Sequence, residues 1–225
     1  MWASVGRLLA QLGLTAQHPL YVAYEQNPAL VEKWLRRQYP QIRVQARKIK
    51  AEIYLGDESA VRSDHHSGTT WGAKGQTPIV MSSGQRFSLS LLSAIGARGL
   101  LRFMVVKGKI NAERVCEFLR RLMYRAKRPV FLILDGHPMH KAKKVPACVE
   151  SFGGRLKLFF LPPYSPEINP DEQVWRDVKQ GLGRSEILDG QDLENKVTAH
   201  LGGLKGLPRK IRSFFQLPMT AYAAQ

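Results

Sequence analysis

The chain has 225 residues, 44% of them hydrophobic, enough for one full-sized domain with a real core and a small appendage. Its 34 Lys+Arg against 18 Asp+Glu leave a net charge of +16, which points to a polyanion bound in a salt-sensitive way; a nonspecifically basic surface is the blander reading. Two cysteines, Cys116 and Cys148, with no Cys-x-x-Cys pair, argue against a disulfide scaffold or zinc ribbon; no apolar run approaches the roughly 18 residues of a bilayer span, and Met1–Arg7 lacks the apolar core of a signal peptide.

Residues 4–13 read as a helix, with Val5, Leu8, Leu9 and Leu12 at helical spacing and Gly13 to stop it. Asn27-Pro28 supplies an N-cap followed by proline at the first helical position, opening a helix to about Arg37 that Tyr39-Pro40 breaks. A short basic helix or arm follows, carrying Arg43, Arg47, Lys48 and Lys50. Glu52–Asp57 reads as a strand. Gly68, Gly72, Gly75 and Pro78 punctuate a hairpin around Trp71. Pro78–Met81, Phe87–Ala94 and Leu100–Val106 read as further strands, and Asn111–Arg125 as a helix. Val130–Leu134 is a continuous apolar run, the texture of a strand covered on both faces. Lys141–Ser151 reads as helix, Leu156–Leu161 as strand, Pro170–Leu182 as helix, and 191–225 as a weakly specified helical tail. Strands in series followed by alternating α and β predict a mixed α/β sheet flanked by helices, preceded by a short helical segment. The expected divisions are 1–50, 51–190 and 191–225.

Three acidic positions stand out. Asp57 closes the run Ile53-Tyr54-Leu55-Gly56, where a turn former is the commoner role. Asp135 follows five apolar residues and precedes Gly136, at the carboxyl end of an inner strand, where open α/β sheets place ligands. Glu172 stands three residues after Asn169, the spacing of a capping box, with Asp171 beside it as a competitor. Carboxylates are the hard oxygen ligands of magnesium. A pair of such ions can clamp both oxygens of an in-line phosphoryl displacement, so the expectation is a metal-dependent enzyme on nucleic acid. His137 and His140 have a metal-compatible spacing but lack the partners of a closed zinc site. Contact with substrate phosphate, or capping of the next helix, is the better reading of both. Lys141, Lys143 and Lys144 form a basic run that is usually a solvated helix face, and beside an acidic site would also screen phosphates.

Four segments resemble the DDE transposases of bacterial insertion sequences related to the mariner superfamily: Gly56–Ser59, Trp71–Gln76, Leu134–His140 and Pro162–Trp175. The last is the most specific, and the 36 residues (136–171) between Asp135 and Glu172 are close to that family's usual gap. The resemblance covers about 51–185 well and 1–50 more loosely. It implies a ribonuclease-H-like fold and assigns the catalytic, metal-binding triad to Asp57, Asp135 and Glu172, choosing Glu172 over Asp171. It implies two Mg2+ ions, with Mn2+ as substitute, cleavage of a DNA strand and attack of the freed 3′ hydroxyl on target DNA. It also implies double-stranded DNA as partner, a homodimer assembled on that DNA, and a place at the bacterial nucleoid in the cytoplasm. Arg43, Arg47, Lys48, Lys50, His137, His140, Lys141, Lys143 and Lys144 are then the expected DNA contacts. Ser4–Leu14 resembles only the last helix of the family's DNA-reading region, so the expectation is a catalytic half with weak end recognition. A ribonuclease-H-like nuclease without strand transfer, or a DNA-binding remnant, are the competing readings.

Overall fold

The structure, a computed structural model, describes residues 2–15, 23–64, 73–77, 79, 85–183 and 185–224. The hairpin expected around Trp71 and the strand expected at Pro78–Met81 lie outside the described residues, apart from a turn at 73–76 in which Gly75 takes φ +84°.

Five strands form one sheet in the order β3-β2-β1-β4-β5. They are β1 (Glu52–Arg62), β2 (Ser88–Gly96), β3 (Leu100–Val106), β4 (Val130–Leu134) and β5 (Leu156–Phe160). The first three make an antiparallel meander, whereas β4 and β5 run parallel to β1, each reached through a helical crossover. Both β3 and β4 match the sequence reading residue for residue. Strand β1 does not: it runs on to Arg62, five residues past the expected end at Asp57. Parallel pairing with β4 ends at Leu55↔Ile133, while antiparallel pairing with β2 carries β1 on to Arg62↔Ser88. A partner on one side is enough to keep the strand extended.

The pleat sends alternate side chains to opposite faces, and each face has its own core. Leu55, Val61, Leu89, Leu91, Ile95, Phe131 and Ile133 face one way. They pack with α2 (Pro28–Lys33), α3 (Tyr39–Lys48), α6 (Glu172–Leu182), α7 (Gly190–Lys205) and α8 (Pro208–Ser213). Tyr54, Leu92, Ala94, Leu132 and Leu134 face the other way, onto α4 (Ala112–Met123) and α5 (Lys144–Glu150). Both cysteines are buried free thiols on this second side. The tail lies directly on the sheet: α7 packs against β3 and β2, with Leu193, Val197 and Leu201 wholly buried.

The N-terminal part carries α1 (Trp2–Gln11), closed by Gly13 at φ +73°. The Asn27 side chain caps α2 by accepting from the Ala29 and Leu30 amides. Tyr39-Pro40 does not break this helix. A π-helical turn at Trp34–Gln38 lets the Tyr39 amide donate to the Trp34 carbonyl, and α3 continues beyond it. Proline has no amide to offer the ladder, and the wider turn absorbs that loss without ending the helix. Among the described residues no helix is long and apolar enough to cross a membrane.

Candidate active site

Asp57 and Asp135 meet because of strand parity. Ile53 pairs with Phe131 and Leu55 with Ile133, so extending the register by two residues brings Asp57 beside Asp135, on the same face. Neighbouring strands lie about 4.8 Å apart. Helix α6 covers this face, and Glu172 is its first residue. All three carboxylates line one cleft of ≈ 440 Å³, which Leu161, Pro162, Pro163, Tyr164 and Pro166 also line.

Asn169 sets the start of α6, though not as a capping box. Its amide donates to the Gly56 carbonyl (3.2 Å) and its oxygen accepts from the Asp171 amide (3.1 Å). The helix therefore begins at Glu172, pinned to the residue before Asp57, with Asp171 in the N-cap position. Asp171 turns into the protein and is fully buried, with one carboxylate oxygen accepting from the Ser93 hydroxyl at 2.6 Å. Burial, reinforced by the Glu172 charge, holds its carboxyl well above the usual range, against the Ser93 bond. It does not line the cleft; Glu172 does.

Asp57 is only 8% exposed. Burial first, then the charges of Glu172, Asp171, Glu58 and Asp135, push its carboxyl up to about 10. Asp135 behaves oppositely. Burial would raise it, but hydrogen bonds and charge from His140, with the His137 amide, outweigh this and hold it below the usual range. His140 lies in a 3-10 turn at Pro138–Lys141, its side chain 1% exposed, with Nε2 2.7 Å from Glu58 Oε2 and 3.0 Å from Asp135 Oδ1. Burial would lower this imidazole; Asp135 and Glu58 together raise it to about 9.

The expected DNA contacts divide. His140 is enclosed by carboxylates and its ring is not presented to a phosphate. His137 is exposed at the cleft, with Nδ1 accepting from the Met139 amide, so it also caps the 3-10 turn. Lys143 and Lys144 are exposed just beyond, Lys144 paired with Glu113 at 2.6 Å. Lys141 closes the same turn. Arg43, Arg47, Lys48 and Lys50 are not brought to the cleft. The first two line a separate hollow with Glu52 and Arg98, at the far end of β1 and five residues from Asp57. Three participants had no assigned role in the sequence reading: Glu58, Ser93 and Gln26. Gln26 Nε2 donates to the Tyr164 carbonyl, Ser165 Oγ and Glu167 Oε1, tying the N-terminal segment to the cleft loop. No local pattern marks such contacts.

The donor set fits a divalent metal ion. Asp57, Asp135 and Glu172 offer hard oxygens, and the crowding that keeps Asp57 protonated is what a cation at this place would relieve.

Residues 52–194 match the DDE superfamily endonuclease family, and the chain belongs to that family. It is a family of metal-dependent enzymes. Residues 3–38 match the winged helix-turn helix family, a span that takes in α1, α2 and the π turn. None of the curated proteins matches the chain. Among solved structures, the catalytic domain of Mos1 mariner transposase is similar over 90% of this chain and 98% of its own, at 14% identity and TM-score 0.59. The Mos1 paired-end complex with left transposon end gives 15% identity and TM-score 0.67, over 98% of this chain and 70% of that one. The mariner Mos1 paired end complex with Mg gives 18% and 0.64 over the same shares. The fold is thus ribonuclease-H-like, as the motifs implied.

Proposed function

We propose that the chain is a transposase catalytic domain that cuts a DNA strand and joins the freed 3′ hydroxyl to target DNA, using Asp57, Asp135 and Glu172 to hold two magnesium or manganese ions. One observation carries this reading: β1, the end of β4 and the start of α6 deliver three carboxylates to a single cleft. Asp57 and Asp135 are held by the sheet. Glu172 is held by the Asn169 bridge to Gly56. Pro162, Pro163 and Pro166 in the cleft lining offer apolar surface that would limit water around a bound phosphodiester. When bound, the ions neutralise charge on the attacking and leaving oxygens of an in-line displacement. Lys143, Lys144 and His137 lie beside the cleft to meet phosphates, while Arg43, Arg47, Lys48 and Lys50 serve a more distant stretch of duplex.

The catalytic unit is 51–190, with 1–50 carrying DNA contacts and 191–225 bracing the sheet. The fold likeness to Mos1 paired-end complexes supports DNA as the partner and two copies acting together on it. A DNA substrate of insertion-sequence type puts the protein at the bacterial nucleoid. Incubation with a labelled duplex ending in a free 3′ hydroxyl, a plasmid target and Mn2+ tests the reading. Label joined to plasmid supports a transposase. Nicking without joining supports the simpler nuclease, and neither product from folded protein overturns both.

A further inference from the structure

Glu58, Asp135 and His140 form a second cluster at the edge of the cleft, their ligand-type atoms within 4.8 Å of one another. Its geometry is unusual for a structural ion pair. Glu58 follows Asp57 on β1, so the pleat points it to the opposite sheet face, the side of α4 and α5. His140 sits on that side too, in the turn that packs on those helices. From there its Nε2 reaches past the end of β4 to Asp135. Among the described residues the ring is held at this nitrogen alone, because none of them offers a hydrogen-bond partner to the buried Nδ1. A buried unpaired ring nitrogen is unfavourable, so this histidine is poorly explained as a stabiliser of the fold. What it does accomplish is asymmetry in Asp135. Both contacts to that carboxylate, from His140 Nε2 at 3.0 Å and from the His137 amide at 3.3 Å, fall on Oδ1. Among the described residues no hydrogen bond falls on Oδ2.

We propose that His140, itself anchored by Glu58, is a positioning residue that ties up Oδ1 of Asp135 and turns Oδ2 into the cleft toward the metal ion. The role rests on the assignment of Asp57, Asp135 and Glu172 as the metal site. It is the arrangement in which a buried partner orients a ligand without touching the ion, and loss of such partners commonly lowers metal affinity about 10–100-fold. Glu58 acts only through His140, so its effect disappears once the imidazole is gone.

The test is Mn2+ binding to the full chain without DNA, followed by electron paramagnetic resonance, for wild type, His140→Ala, Glu58→Gln, the double variant and Asp135→Asn. Circular dichroism checks each fold. The expected result is a loss of about 10–100-fold for His140→Ala, a smaller loss for Glu58→Gln, and a double variant no weaker than His140→Ala alone. Asp135→Asn loses binding outright. If Asp135→Asn loses binding while His140→Ala and Glu58→Gln keep wild-type affinity, the positioning role is overturned and the metal site stands. Wild-type affinity in Asp135→Asn would instead overturn the metal site itself. Direct nitrogen coupling to Mn2+ that persists when His137 is replaced by alanine would make His140 a ligand and overturn the proposal. Should His140→Ala not fold, Glu58→Gln decides: unchanged affinity there refutes the role.

Discussion

Replacing Asp57 with asparagine should stabilise the metal-free protein while removing its activity. Burial and four neighbouring carboxylates push the Asp57 carboxyl up to about 10. In the unfolded chain an aspartate titrates near 3.9. At neutral pH folding therefore takes up a proton. For a group whose folded value is raised, the stabilising contribution is complete below the unfolded value and is lost as pH rises toward the folded one. Between about 3.9 and 7 that loss amounts to three units at 1.36 kcal/mol each, or at most about 4 kcal/mol. Asparagine needs no proton, and its side-chain oxygen can still accept from the Glu58 amide, as Asp57 Oδ1 does at 2.9 Å. The gain should be at most about 4 kcal/mol at pH 7 and should shrink by about 1.4 kcal/mol per pH unit, to at most about 1.5 kcal/mol by pH 5. Urea unfolding of both proteins in chelator across that range measures it. Added Mn2+ should then stabilise wild type more than the variant, because binding to the folded state alone adds stability by mass action. An Asp57→Asn protein that is less stable than wild type, with a difference independent of pH, would refute the crowded-carboxylate account.

Gly56→Ala should cost about 1–3 kcal/mol and impair cleavage, because the new methyl would lie 2.7 Å from the Ser93 carbonyl and 3.2 Å from Leu134, forcing β1 apart beside Asp57; thermal unfolding and a nicking assay check both. Asp177 is held below the usual carboxylate range: burial raises it, but Lys210 and His200 outweigh burial. A lowered folded value gives stability that is present above the unfolded value and lost as pH falls, so Asp177→Asn should destabilise at pH 7 and approach wild type in acid, as paired urea titrations would show. In duplex binding across a salt series, Lys143→Ala should flatten the slope of log K against log salt by about 0.9, the contribution of one phosphate contact. Lys144→Ala should flatten it less, since Glu113 already engages that ammonium.

The parts of this fold legible in the sequence are those fixed by neighbours in sequence. The apolar run Val130–Leu134 and the Asn27 cap needed nothing distant, and both formed as read. Asp135 was placed by the end of its own strand. Asp57 was placed less well, because its strand continues under the guidance of β2, which the run 52–57 alone does not reveal. The break expected at Pro40 failed for a related reason: Trp34, Tyr39 and Ile42 are buried in the sheet's core, and that burial carries the helix through a π turn. Asn169 looked like a cap because spacing is local. Its actual bond to Gly56 spans 113 positions. The Glu58–His140 contact spans 82 and Gln26–Tyr164 spans 138, distances at which no periodicity or motif spacing carries information.

The central claim is that Asp57, Asp135 and Glu172 act as one metal-dependent centre on DNA. Its most direct test is nicking of supercoiled plasmid in Mn2+ by wild type, Asp57→Asn, Asp135→Asn and Glu172→Gln, each confirmed folded and able to bind duplex in chelator. The account predicts nicking by wild type that chelator abolishes, and none by any single variant. Nicking at the wild-type rate by any one of the three would contradict it.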